Sequence, residues 1–141
     1  MADLAPLLRL GRWQVDEQRR QLGALLTRED ALVEERAALD AELVEQQAAA
    51  AGDSMGAGLT FAGYLAAHGE RCAALDRAVA ALRAEIEAAR EQLAEAYRQV
   101  KTYELVVAAR EKRAAEERAR KEQIVLDDIG QTLHRRRQDE D

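Results

Sequence analysis

Two side chains of this 141-residue chain, His68 and Cys72, stand four residues apart and could do chemistry together. On a helix that spacing places both on one face. A thiol beside an imidazole is the arrangement of a nucleophile with its base, and both groups are common metal ligands. Neither His68 nor His134 has enough further Cys, His, Asp or Glu neighbours at ligand spacing, so we expect no metal site. A buried thiol usually acts as a small apolar group, which predicts that Cys72 belongs to a core.

The remaining residues give no sign of catalysis or cofactor binding. The glycines between residues 51 and 58 follow no strand and precede no Lys-Ser or Lys-Thr pair, so they do not form a phosphate-binding loop. Carboxylates are numerous, but two of them split their pKa values for acid–base work only in a concave pocket. The helical elements derived below offer no such pocket. We therefore expect no enzyme and no catalytic, cofactor-binding or metal-binding residues.

The composition favours long helices over a compact globule. Hydrophobic residues make up 48% of the chain and charged residues 34%, but aromatics only 4%, with a single proline. This mixture is typical of coiled coils. No stretch reaches the roughly 18 apolar residues of a membrane-spanning helix, and no signal peptide is evident, so we expect a cytoplasmic protein without membrane insertion. The net charge of −6 and the lack of a dense basic block argue against nucleic-acid binding.

An apolar seam with alternating spacings of three and four residues runs through the second half of the chain. This period of 3.5 residues is the signature of a left-handed coiled coil. All eleven of its positions are apolar or small: Cys72, Leu75, Val79, Leu82, Ile86, Ala89, Leu93, Ala96, Val100, Tyr103 and Val107. The first half has a more polar seam, in which eight of thirteen positions are apolar: Leu8, Gly11, Val15, Gln18, Leu22, Leu25, Glu29, Leu32, Arg36, Leu39, Leu43, Gln46 and Ala50.

The two seams predict an all-α fold in which two long helices form an antiparallel coiled-coil hairpin, one domain over residues 1–141. Helix 1 covers about 3–50, and a glycine-rich turn spans 51–60, where Thr60 is a candidate N-cap. Helix 2 covers about 61–128, with Gly130 suited to a C-cap and a frayed tail over 129–141.

A short connection makes facing residues sum to about 111, so the apolar seam of helix 2 ends opposite the beginning of helix 1. Residues 108–128 then form about 30 Å of helix without a partner in the chain, the predicted overhang.

Three apolar residues lie off the seams near the predicted overhang: Trp13, Leu105 and Val106. By the pairing rule they share one end of the hairpin. They form either a terminal cap folded over the helices or an interaction surface, and an exposed apolar patch with an aromatic favours the second interpretation. We therefore expect that the end of the hairpin with these three residues binds a partner, and we call it the docking end.

Three segments show that the chain resembles the FliJ family, small coiled-coil components of the bacterial flagellar type III export apparatus. The resemblance covers essentially the whole chain. Its carriers are the opening Leu7-Leu8-Arg9-Leu10-Gly11-Arg12-Trp13-Gln14-Val15-Asp16-Glu17-Gln18-Arg19-Arg20-Gln21, the tip Met55-Gly56-Ala57-Gly58-Leu59, and Ala94-Glu95-Ala96-Tyr97-Arg98-Gln99-Val100-Lys101-Thr102-Tyr103-Glu104-Leu105 followed by Arg110-Glu111-Lys112-Arg113.

This resemblance implies a hairpin similar to the central stalk subunit of rotary ATPases, at the cytoplasmic face of the flagellar base. Its terminal end would insert into the hexameric ring of the export ATPase, its shaft would reach the membrane protein of the export gate, and it would escort export chaperones. Leu43 and Gln47 stand where some members have aromatic gate contacts, so we assign no gate site. The expected ATPase contacts, to which we add the off-seam residues Leu105 and Val106, are Arg12, Trp13, Val15, Arg19, Arg20, Leu105, Val106, Arg110, Arg113 and Arg118.

Two alternatives stay open at the level of sequence. One is a self-assembling structural or membrane-surface coiled-coil scaffold, although surface-bound amphipathic helices favour Lys and Arg whereas this shaft is acidic. The other is the stalk of a related virulence-type secretion system, which differs in its partner but not in its mechanism.

Overall fold

The computed structural model describes residues 3–52 and 57–141, without the side chains of residues 57–59. It contains two helices, α1 over Ala5–Ala51 and α2 over Ala57–Glu140, of 47 and 84 residues. Pro6 lies in the first turn of α1, where its missing N–H costs no hydrogen bond. The Asp3 carboxylate caps this end by accepting a hydrogen bond from the Ala5 N–H at 3.0 Å. The described chain is all-α, as predicted.

The contacts divide the chain into two compact units. The central unit comprises Arg12–Tyr97, and the terminal unit combines the start of α1 up to Gly11 with Arg98–Asp141. The prediction of one coiled-coil domain over residues 1–141 stays a prediction.

In the central unit the two helices run antiparallel. Glu29 pairs with Arg83 at 3.6 Å, and Arg36 pairs with Asp76 at 3.1 Å. Residue numbers therefore rise along α1 as they fall along α2, and the paired numbers lie close to the predicted sum. The pairing rule holds in this unit.

The predicted seams are the core. All eleven seam positions of α2 are buried or half-buried, and twelve of the thirteen in α1 are as well, Gln46 being the exposed one. The most deeply buried apolar side chains of this core are no more than 9% exposed: Val15, Leu39, Cys72, Val79, Leu82, Ile86, Ala89, Ala96 and Val100. Burial of this one stripe on each helix holds the pair together, since the outward faces are charged.

In the terminal unit the start of α1 packs against α2 as far as Val107. Gly11 lies against Val100 and Tyr103, and Leu8 lines a groove together with Val107. Beyond Val107 every residue from 108 to 141 is exposed, and this segment is called the arm below. The arm contains the predicted overhang and extends beyond it.

The predicted ends of α2 are wrong on both sides. The helix begins at Ala57 rather than near residue 61, so Thr60 lies inside it and is not the N-cap. It ends at Glu140 rather than near residue 128, so Gly130 is a helical residue and residues 131–140 are not a frayed tail. Side-chain hydrogen bonds between residues four apart support this extension, from Thr132 Oγ1 to the Asp128 carbonyl at 2.9 Å and from Gln138 Nε2 to His134 Nε2 at 3.2 Å.

The charge pattern explains why the helix passes Gly130. Asp127 and Asp128 would be unfavourable at a helix C-terminus, but in a longer helix they lie in its interior. Arg135, Arg136 and Arg137 then occupy the C-terminal turns, where cations interact favourably with the helix dipole. Within residues 3–52 and 57–141, neither helix combines the length and apolar character needed to cross a membrane.

Candidate partner-binding surfaces

The opening of α1 in the central unit alternates exposed and buried side chains. Trp13 is 57% exposed, and Arg12 beside it is exposed. Val15, two residues later, is 6% exposed and belongs to the core. Trp13 and Arg12 can therefore meet a partner, whereas the Val15 side chain is used in packing the two helices.

Two further arginines of the opening lie on the same outward part of α1. The Arg19 guanidinium stands 5.2 Å from the centre of the Tyr97 ring and donates a hydrogen bond to the Tyr97 hydroxyl. This cation–π contact holds the charge over the aromatic face. Arg20 lies 3.6 Å from Glu17 in an ion pair one helical turn long. Arg20 remains 69% exposed, so its charge is available to an acidic partner.

The terminal unit presents apolar side chains off the seam. Leu105 is 60% exposed and Val106 is 38% exposed on α2, and Leu10 on α1 is 51% exposed. A shallow groove in the same unit is lined by Asp3, Leu4, Ala5, Leu8, Val107, Arg110 and Glu111. Leu105 and Val106 are thus exposed, and that they bind a partner stays a prediction.

The arm carries charged residues over its first half. Arg113 and Arg118 are exposed, and Arg120 pairs with Glu117 at 3.0 Å. Alternating acids and bases three and four residues apart stabilise a solvated helix. This part of α2 can stay helical without a packing partner.

An apolar stripe in the second half of the arm was missed by the sequence analysis. Its members are between 52% and 61% exposed: Ile124, Val125, Leu126, Ile129 and Leu133. Three of these, at 126, 129 and 133, have the three-and-four spacing of a helix face that packs against another element. The same spacing was readable in the sequence, but ending the helix near residue 128 divided the stripe between a helix and a tail.

The ten predicted partner contacts fall into two sets. Five belong to the opening of α1 in the central unit: Arg12, Trp13, Val15, Arg19 and Arg20. The other five belong to α2 in the terminal unit: Leu105, Val106, Arg110, Arg113 and Arg118. All except Val15 are exposed. That the two sets form one docking end stays a prediction.

The structure also adds a neighbour to the His68–Cys72 pair. His68 is 7% exposed and Cys72 is likewise 7% exposed, and the Cys72 Sγ lies 3.5 Å and 3.6 Å from the two imidazole nitrogens. A carboxylate oxygen of Asp40, on α1, completes a group whose three donor atoms lie within 4.8 Å of one another. Asp40 was invisible to a search for ligands along the sequence because it comes from the other helix.

Asp40 is held by Arg36, which is also a seam residue. The guanidinium donates to the Asp40 carboxylate through Nη1 and to Asp76 through Nε at 3.1 Å. These two hydrogen bonds, with Asp40 first, raise the pKa of Arg36 above its usual value. A permanent positive charge therefore lies beside the two acids.

Two long antiparallel helices with an exposed helical arm define a coiled-coil protein that offers its partners side chains along helix surfaces rather than an enclosed pocket. Residues 1–139 match the family described as Flagellar FliJ protein. The chain belongs to the FliJ family and is thus related to flagellar protein export. No curated protein and no solved structure matches it.

Proposed function

We propose that this protein is a non-enzymatic stalk and escort of the flagellar type III export apparatus, which docks its terminal end into the export ATPase ring. The observation that carries the proposal is the arm. Residues 108–140 are all exposed on one continuous helix, which at 1.5 Å per residue is about 50 Å long. A helix of that length that packs against none of the residues described here is suited to a partner outside the chain.

A ring of subunits is a suitable partner for such an arm. A single helix is about 10–12 Å wide with its side chains, so it enters a central hole that a pair of helices would not. Arg113 and Arg118 can pair with acids lining the hole, and Leu126 and Ile129 can bury apolar area there. A Leu that is half exposed contributes about 1 kcal/mol when it becomes fully buried.

The finer parts of the proposal follow from family membership together with the exposed opening of α1. Trp13 and Arg20 are available to contact the ATPase at its rim. Further contacts link the protein to the membrane protein of the export gate and to export chaperones, at the cytoplasmic face of the flagellar base. No side chain is assigned to the gate.

Co-purification of the export ATPase with the full chain, with and without nucleotide, tests the docking. The first test variant, Leu126→Ser with Ile129→Ser, removes apolar side chains from the arm. The second, Trp13→Ala with Val106→Ser, removes one from the α1 opening and one from α2 of the terminal unit. Val44→Ser is a matched control because Val44 is 64% exposed on α1 but is not among the ten expected contacts. We expect each double variant to weaken binding at least about tenfold, equivalent to 1.4 kcal/mol, and the control to bind normally.

The outcome of these variants decides between docking and other functions. Unchanged binding and unchanged stimulation of ATP hydrolysis by both double variants would refute the docking end. Equal loss in the Val44→Ser control would show that the loss comes from general surface polarity rather than from these contacts.

A self-assembling scaffold is the second candidate function, and the apolar stripe of the arm favours it. Exposed apolar residues at coiled-coil spacing can pair with a second copy of the same helix. Sedimentation that shows large oligomers of the wild-type chain, and smaller species for Leu126→Ser with Ile129→Ser, would favour the scaffold over the stalk.

A further inference from the structure

His68, Cys72 and Asp40 bring an imidazole, a thiol and a carboxylate together across the two helices of the central unit. The donor atoms lie within 4.8 Å of one another. Two ligands of a tetrahedral zinc ion, with bonds of about 2.0 Å to nitrogen and 2.3 Å to sulfur, stand about 3.5 Å apart. The Cys72 Sγ is 3.6 Å from His68 Nδ1 and 3.5 Å from Nε2, so the thiol and the imidazole already have about the required separation, and the hydrogen bonding of the ring decides which nitrogen is the ligand.

The imidazole of His68 is oriented as a metal ligand usually is. Its Nε2 lies 2.9 Å from the Leu39 carbonyl oxygen. A carbonyl only accepts hydrogen bonds, so Nε2 is the protonated donor, and in a neutral ring Nδ1 keeps its lone pair. Ligating histidines generally donate their other N–H to a carbonyl or carboxylate, which fixes the ring. Leu39 supplies that support, and Nδ1 is left for the ion.

The third donor keeps the group open to solvent. His68 and Cys72 are buried, whereas Asp40 is exposed, so an ion can enter from the Asp40 side and retain a water as its fourth ligand. One carboxylate oxygen can accept from Arg36 while the other binds the ion, because a carboxylate has two oxygens with about four lone-pair positions.

The charges of the cluster balance when a divalent ion is present. A thiolate and a carboxylate neutralise two positive charges, and Arg36 is neutralised by Asp76 at 3.1 Å. Binding releases the thiol proton of Cys72 to solvent, and no electron transfer is needed.

We propose that His68, Cys72 and Asp40 form a binding site for one Zn²⁺ ion per chain. The ion joins α1 to α2 and strengthens the central unit. The competing explanation is that His68 is a polar seam residue that selects its partner helix, with Cys72 as a packed thiol beside it. That explanation predicts no specific metal affinity.

Titration of the full-length chain with Co²⁺, followed by displacement with Zn²⁺, tests the site. Thiolate–Co²⁺ coordination gives a charge-transfer absorption in the near ultraviolet, a readout that depends on the sulfur ligand. We expect one Co²⁺ per chain, displaced by one Zn²⁺. Cys72→Ser abolishes the charge-transfer band and weakens Co²⁺ binding more than about 100-fold, which exceeds the loss caused by mutating a residue that only supports a ligand. Asp40→Asn weakens Co²⁺ binding by about tenfold or more.

Two control variants separate the site from incidental binding. His134→Ala removes the other histidine, and Asp127→Asn removes an exposed acid of the arm, away from the cluster. Both should bind Co²⁺ like the wild type. Cys72→Ser is nearly isosteric, and circular dichroism establishes that its helices are intact. A wild-type chain without a charge-transfer band, a ratio of one ion per two chains, or equal affinity in Asp40→Asn would each overturn the proposal.

Discussion

A close approach at Gly11 makes two glycine-to-alanine substitutions behave differently. In a helix interior alanine is favoured over glycine by about 1 kcal/mol. At Gly23 an added Cβ meets nothing within 4 Å, so Gly23→Ala should stabilise the protein by nearly that amount. At Gly11 the same Cβ would lie 3.1 Å from Val100 Cγ2 and 3.9 Å from Tyr103 Cδ2. Both substitutions gain helix propensity, but only the alanine at position 11 is crowded by neighbouring side chains.

The magnitude at Gly11 follows from that contact. Carbon atoms of neighbouring side chains pack best at about 3.5–4.0 Å, so Val100 must move by roughly half an ångström. Val100 is 8% exposed and has little room. Overpacking of this kind costs about 1–3 kcal/mol, which cancels or exceeds the gain in propensity. We expect Gly11→Ala to be less stable than Gly23→Ala by about 1–3 kcal/mol.

Urea and thermal unfolding followed by circular dichroism measure the difference. A shift of about 4 °C in Tm corresponds to 1 kcal/mol for a chain of this size. The combination of Gly11→Ala with Val100→Ala should lose less stability than the two single changes added together, because removal of the valine methyls relieves the crowding. If Gly11→Ala stabilises as much as Gly23→Ala, the reasoning about the tight seam at Gly11 is refuted.

Three further predictions concern the seams and the arm. Leu82→Ala should lower the free energy of unfolding by about 2–5 kcal/mol, because Leu82 is 4% exposed. Leu126→Ala should change it by less than about 0.5 kcal/mol, because Leu126 is 61% exposed. Equal losses in the two variants would contradict the assignment of Leu82 to the core and Leu126 to the arm. Gly130→Ala should raise the helix content measured by circular dichroism, because α2 passes through this residue. A decrease in helix content would indicate that the helix ends at Gly130. Tyr97→Phe should lower the free energy of unfolding by less than about 1 kcal/mol, since the ring that faces Arg19 stays and only the hydroxyl is lost. A larger decrease measured by urea unfolding would mean that the hydrogen bond of the hydroxyl dominates the contact with Arg19.

The core of this fold could be predicted from the sequence because the spacing of apolar residues along each helix determines which of them are buried in a coiled coil. The three-and-four pattern from Cys72 to Val107 requires only that each residue face the same side of one helix, and every one of those positions is buried or half-buried. The pairing direction followed from a short connection between two long helices. Both inferences needed no knowledge of distant contacts.

The ends of α2 and the neighbours of His68 could not be predicted in the same way. Whether a helix stops at Gly130 depends on the balance between one glycine, which costs about 1 kcal/mol, and the favourable residues on both sides of it. The approach of Asp40 to His68 and Cys72 depends on the directions of side chains that come from different helices. The spacing of residues along one helix carries no information about those directions.

The inter-helix ion pairs of the central unit fix the register of the coiled coil. An apolar seam that repeats every seven residues would tolerate a slip of one heptad, about 10 Å along the axis. A slip in one direction would bring Arg36 opposite Arg83, and a slip in the other would bring Glu29 opposite Asp76, like charges in both cases. In the observed register the same four residues form Glu29–Arg83 at 3.6 Å and Arg36–Asp76 at 3.1 Å. Each pair contributes little to stability by itself. Together they penalise both neighbouring alignments, and the alignment sets how much of α2 extends beyond α1.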